Sequence, residues 1–150
     1  MLTDLLLAIA HHLLIFALLA LLVTEMMTVR PEMSTAAVLR VARLDMFYGA
    51  AAGLILIVGF ARVFFGVKGA AFYLQNPVFW AKIAAFMVVG GLSVPPTLRI
   101  IGWRAAARSD PDFRPQSAEV RSVRRFMHWE GIVFFLIPVF AAMMARGYGL

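Results

Sequence analysis

"LLLAIAHHLLIFALLALLV", residues 5–23, carries nothing polar except the adjacent pair His11 and His12. A run of that length covers the roughly 20 residues an α-helix needs to cross a ~30 Å hydrocarbon core. Three further stretches match it, so the candidate spans run about 4–26, 46–67, 78–98 and 126–146. None alternates with period two, and lipid offers the backbone no hydrogen-bond partner, so helices are the expected form. Composition agrees: 63% of the 150 residues are hydrophobic and 15% are charged, against about 45–50% and about 25% in soluble domains. The expectation is an all-α fold, an integral membrane four-helix bundle with antiparallel up-down topology, forming one domain over residues 1–150.

The loops orient that bundle. Arg30, Arg40 and Arg43 lie between the first two spans, and Arg99, Arg104, Arg108, Arg114, Arg121, Arg124 and Arg125 lie between or beside the last two. The opposite side has Lys68 and Arg146. By the positive-inside rule both basic loops face the cytoplasm and both termini lie outside. The formal charge of +6 therefore reads as membrane topology rather than as a nucleic-acid-reading face. The first run reads as a retained span: no basic region precedes it, and "VTEMMTVRP" (23–31) has no small-residue cleavage site. Asn76-Pro77 reads as N-cap and first residue of the third helix, with Ser34 and Ser117 as N-caps of the second and fourth. "RSDPDFRP" (108–115) is a linker. Tyr73, Trp80 and Tyr148 suit one aromatic belt, Trp103 and Trp129 the other.

The second span is rich in small residues. Asp45, Ala52, Gly59 and Gly66 recur every seven positions, and Gly49 with Gly53 forms a G-x-x-x-G pair. Small residues let membrane helices approach closely, so this face is expected inside the bundle. Pro95-Pro96 and Pro138 are expected to free carbonyls and kink the third and fourth helices.

Ionisable groups inside spans are costly and tend to face the bundle interior. At 1.5 Å per residue, His11, Arg62 and Lys82 lie about 10, 9 and 8 Å below the outer ends of their helices. Asp4, His11, Leu18 and Glu25 share one stripe, which makes His11 the interior candidate and leaves His12 about 100° away, at an interface or as the ligand instead. A b-type haem would take His11 as the axial ligand of its metal, with Arg62 and Lys82 neutralising its propionates. Met143, Met144, Lys82 or an open position stand on the other side of the iron. The rivals are a proton or ion pathway, and an imidazole satisfied by a neighbouring helix. Either cation is also long enough to snorkel to the headgroups.

A second polar layer, near the cytoplasmic surface, holds Glu25, Asp45, His128 and Glu130 with Arg43, Arg124 and Arg125 close by. It lacks the paired Glu-x-x-His spacing of bundle metal sites, so ion pairing with the arginines is the expected arrangement. There are no cysteines, which excludes disulfides and thiolate metal sites. No P-loop, dinucleotide fingerprint, nucleophile elbow or zinc motif is present.

"LAIAHHLLIFALLALLVTEMM" (7–27), "RLDMFYGAAAGLILIVGFARVFFG" (43–66), "NPVFWAKIAAFMVVGGLSVPPTLR" (76–99) and "ARGYG" (145–149) together resemble a bacterial family of inner-membrane proteins with no assigned function. More distantly, the layout is similar to the HemJ-type protoporphyrinogen oxidases. That resemblance implies a haem ligand at His11 or His12 and an important lysine at Lys82, within "FWAK" (79–82). The first span lacks that group's tryptophan–glycine step. The resemblance therefore implies a haem-compatible bundle and not protoporphyrinogen oxidation.

The functional expectation is a small polytopic protein of the bacterial inner membrane, both termini periplasmic, binding haem b near the outer leaflet for redox or electron transfer. The alternative is a structural or accessory subunit without cofactor. Expected partners are the lipid bilayer and another membrane protein or a second copy, with no nucleic acid.

Overall fold

The computed structural model describes residues 2–67 and 69–149. Lys68, one of the two cations on the less basic side, lies outside them. The chain forms α1 (Leu2–Thr28), α2 (Thr35–Phe65), the short α3 (Gly69–Leu74), α4 (Pro77–Ser109), α5 (Ser117–Phe134) and α6 (Leu136–Ala145). Four spans result, because α5 and α6 together make the last one. Successive spans are neighbours: α1 packs on α2, α2 on α4, α4 on α5 and α6, and α5 returns to α1. This is the antiparallel four-helix membrane bundle.

The long helices leave most of their apolar surface outside. Only 11–22% of the most hydropathic stretch of each span is buried within the protein. Leu13, Phe16, Ile57, Met87 and Leu98 are all exposed by more than 60%. Such a continuous apolar coat needs lipid as its solvent.

Inside, Leu18, Leu22, Ala85, Val89, Phe134 and Ile137 fill the middle layer. Towards the arginine-rich end, Val38, Val41, Ile100, Trp103, Val120 and Val123 form a second core. That core exists because the helices outrun the hydropathic stretches. α2 starts at Thr35, α4 continues to Ser109, and α5 starts at Ser117. These extra turns are amphipathic, so they bury valines on one face and carry arginines on the other.

The ends are tied by specific contacts. Ser34 caps α2, its Oγ accepting from Ala37 N at 3.3 Å. Asn76 is fully buried; its Oδ1 accepts from Val78 N at 2.8 Å, and its Nδ2 donates to Tyr148 O at 3.2 Å. Pro77 follows at the first helical position, where a missing N–H costs nothing. Ser117 is not a cap: it is the first residue of α5, and Gln116 stands before it without a side-chain capping bond. Arg124 Nη1 donates to Met26 O at 3.3 Å and Val29 O at 2.5 Å, satisfying carbonyls at the end of α1. Glu119 joins α5 to α4, accepting from Arg99 at 2.8 Å and from Trp103 Nε1 at 2.9 Å.

The prolines behave differently from one another. The last span breaks at Phe135, between α5 and α6, where a continuous helix would drive the Pro138 ring into the carbonyl of Phe134. Helix α4 continues through Pro95 and Pro96 without a break.

Candidate functional site

His11, Arg62 and Lys82 come from α1, α2 and α4, and the up-down topology sets them at one end of the bundle. His11 and Lys82 line the same cavity, of about 60 Å³, with Ile55, Gly59, Phe79 and Phe86 among its walls. Gly59 is what lets the imidazole reach it. A methyl group at that position would sit 3.4 Å from His11 Cε1, so a larger side chain there would push the ring away. Leu56 and Phe60, both exposed, form the outer lip of the cavity at the α2–α4 seam. Arg62 is half-buried, and it and Lys82 are close enough for their charges to act on His11.

These groups lack counterparts. His11 Nδ1 and Arg62 Nε are buried and have no hydrogen-bond partner among the described residues. Lys82 Nζ lies 5.1 Å from the centre of the Phe79 ring, a cation–π contact. Asp4, the acid at this end, instead accepts from Val67 N at 3.3 Å. Among the described residues the one ion pair is Arg99–Glu119, far down the molecule. The site is therefore a basic cluster with an unfilled acceptor requirement.

The two histidines separate cleanly. His12 is exposed towards the lipid face, and its Nδ1–H donates to Ala8 O at 2.7 Å, one turn back. His11 faces the interior. Met143 and Met144 do not line the His11 cavity; Met144 packs instead near Val63, Tyr73 and Phe79.

The acidic layer forms differently from the expected ion pairs. Glu25, Asp45 and Glu130 are all buried, at 2%, 9% and 1% exposure, and none is paired with an arginine. Arg43 and Arg125 are exposed, and Arg124 is committed to the α1 carbonyls. Hydroxyl groups take their place. Tyr48 Oη donates to Glu130 Oε1 at 2.5 Å, and Thr97 Oγ1 donates to Asp45 Oδ1 at 2.6 Å. Glu25 Oε1 has no partner among the described residues. His128 is exposed and lies elsewhere, in a groove with Arg121, Arg124 and Arg125. Among the described residues no group of three or more histidine, cysteine or carboxylate side chains is arranged to hold a metal ion.

Tyr48 and Thr97 are the members that sequence reading missed. Tyr48 had a signal, since it stands three residues after Asp45 and so shares its helix face. Thr97 had none, because its role depends on how α4 packs against α2.

The small-residue face also divides. Gly59 and Gly66 approach His11 and Asp4, as a close-packing face should. Gly49 and Gly53 meet nothing within 4 Å, so that pair looks outwards and not into the bundle.

A porphyrin does not fit this site as packed. The donor set suits one in kind, offering an imidazole nitrogen for a metal and two cations for carboxylates. The space does not: about 60 Å³ holds a few waters or a small anionic group, well below the ~300–1,000 Å³ of typical ligand sites.

Four long apolar helices in up-down order define a multi-pass membrane protein. The chain belongs to the family described as "Predicted membrane protein (DUF2214)", whose model matches residues 3–149. No curated protein and no solved structure matches it. The likeness to HemJ-type oxidases has no counterpart in these comparisons.

Proposed function

We propose that the protein binds a small anion, or the anionic group of a larger molecule, at His11, Arg62 and Lys82 in the outer half of the bilayer. The observation that carries this reading is the pair of buried nitrogens without a hydrogen-bond partner among the described residues, His11 Nδ1 and Arg62 Nε, beside a cavity that Lys82 also lines. Arg62 and Lys82 are half-buried cations without a carboxylate partner among the described residues, and an anion would offset the cost of that partial burial. The arginine distribution supports an orientation with both termini outside, in a bacterial inner membrane. The chain contains no cysteine, so single introduced cysteines can report that topology by their labelling from either side.

The test is thermal unfolding in nanodiscs titrated with chloride, acetate or phosphate. A ligand that binds the folded state raises Tm with concentration. At least one anion raises it for the native chain, and Arg62→Gln/Lys82→Gln loses the response. An equal rise in that variant, or none in the native chain, defeats the proposal. Haem b is the large-ligand form of the same idea and requires the α2–α4 lip to part. Its signature is a Soret band in protein purified from a haem-replete host, abolished by His11→Ala.

A second reading, an accessory subunit, is favoured by the open G-x-x-x-G pair of α2. Its mark is a larger assembly in mild detergent that Gly53→Leu dissociates.

A further inference from the structure

The face where α5 returns to α1 carries a polar groove that the outer site does not involve. This α1–α5 seam is the loosest of the four between neighbouring spans. The groove along it has a volume of about 840 Å³ and is lined by Arg121, Arg124, Arg125 and His128 from α5, and by Val23, Met26 and Met27 from α1. Among the described residues no carboxylate lines it. Arg121, Arg125 and His128 are exposed, as are Val23 and Met27, the last by 76%.

We propose that this groove holds the phosphate headgroup of one anionic phospholipid from the arginine-rich leaflet. Three observations point to a lipid in particular. Positive charge converges from two successive turns of α5 without a neutralising acid among the lining residues, which selects a phosphate. The opposite wall is apolar and open to the bilayer, which suits the glycerol and first acyl carbons and offers nothing to a free ion. The depth also matches: Arg121 lies about 10 Å nearer the aqueous edge than His128, so the groove runs from headgroup level into the hydrocarbon boundary. Arg124 is held rigid by the carbonyls of Met26 and Val29, so the site is anchored to both helices. A bound lipid would complete the seam that side chains leave open.

The test uses full-length protein reconstituted in phosphatidylcholine containing a minority of phosphatidylglycerol. It is then released into mild detergent and weighed intact with its retained lipid. Native protein keeps phosphatidylglycerol in preference to phosphatidylcholine. Arg121→Gln/Arg125→Gln retains about thirtyfold less, roughly fivefold for each arginine. Arg124 is left in place because it caps α1. Arg40→Gln/Arg108→Gln, exposed arginines on α2 and α4 outside the groove, keeps native retention. Equal loss in that control would mean general surface attraction and overturn the site, as would no loss in the groove variant. Inorganic phosphate, added to the detergent-solubilised protein, should displace the lipid only weakly. Full displacement at low concentration would assign the groove to a soluble anion and overturn the lipid proposal. Unchanged unfolding of both variants keeps the comparison independent of folding.

Discussion

The bundle gathers two clusters of ionisable groups, a half-buried basic trio near one end and a buried carboxyl layer near the other, and partners them differently. At the His11 end a basic trio borders a cavity, with two nitrogens left unpartnered among the described residues. At the arginine-rich end three carboxyl groups sit in close packing, and neutral hydroxyls of Tyr48 and Thr97 bond two of them. Same-sign groups in a low-dielectric interior need either an opposite charge or hydrogen bonds to remain. The fold supplies partners for Asp45 and Glu130, while Glu25 Oε1 has none among the described residues. On the reading proposed above, the basic layer takes its partner from outside, which would make the first cluster structural and the second a binding site.

The largest expected effect strikes the acidic layer. Tyr48→Phe leaves Glu130 Oε1 buried without its donor, at a cost of ~1–3 kcal/mol. Reversible unfolding in mild detergent measures it. A loss well below ~0.5 kcal/mol would mean that the layer does not depend on its hydroxyls, and the contrast between the two ends would collapse.

The basic layer should respond with the opposite sign. Lys82→Met removes a charge that has no counterion, at the expense of a cation–π contact with Phe79. That contact contributes ~0.5–1 kcal/mol, while an uncompensated charge costs at least as much. Stability should be unchanged or rise by ~1 kcal/mol, and the anion response of Tm should fall. A clear destabilisation would show Lys82 to be structural, like the carboxyls at the other end.

Much of this was legible from residue order alone, for reasons that particular elements make plain. Hydropathy located the four spans because it registers the lipid-facing length of each helix. It stopped short of Thr35, Ser109 and Ser117 because the outlying turns pair buried valines with exposed arginines. Pro138 broke its helix as its chemistry requires, whereas α4 carried Pro95 and Pro96 without interruption. Depth arithmetic set His11, Arg62 and Lys82 level because each is counted from a helix end. Direction was harder. The heptad of small residues points inwards at Gly59, whereas the separate Gly49–Gly53 pair faces outwards, since one helix cannot turn all its small residues to one side. The acids were visible and their partners were not: ion pairing was the obvious solution for Glu25, Asp45 and Glu130, and the fold instead bonds Glu130 to Tyr48 and Asp45 to Thr97.

A smaller effect tests the cavity directly. Gly59→Ala places a methyl 3.4 Å from His11 Cε1, whereas Gly49→Ala meets nothing within 4 Å. Both replacements gain ~0.4–1 kcal/mol from the reduced freedom of the unfolded chain. At 3.4 Å the new methyl makes ordinary van der Waals contact with the ring, so both alanine variants should be about equally stable and keep the native anion response. Gly59→Leu, whose side chain must push the imidazole from its narrow space, should weaken the response several-fold, whereas Gly49→Leu should not. Equal behaviour of the two leucine variants would detach His11 from the cavity.

The smallest effect belongs to His12. Its ring is exposed, and its Nδ1–H is satisfied by Ala8 O within the same helix. His12→Leu should shift stability by no more than ~0.5 kcal/mol and leave anion binding intact. His11→Leu keeps a similar volume yet removes the only imidazole at the cavity, so the anion response should fall in that variant alone. The side-by-side result separates two neighbours that composition cannot distinguish. If His12→Leu were the variant that lost binding, the ligand would enter from the lipid-facing side of α1, and the cavity at the α2–α4 seam would belong to packing.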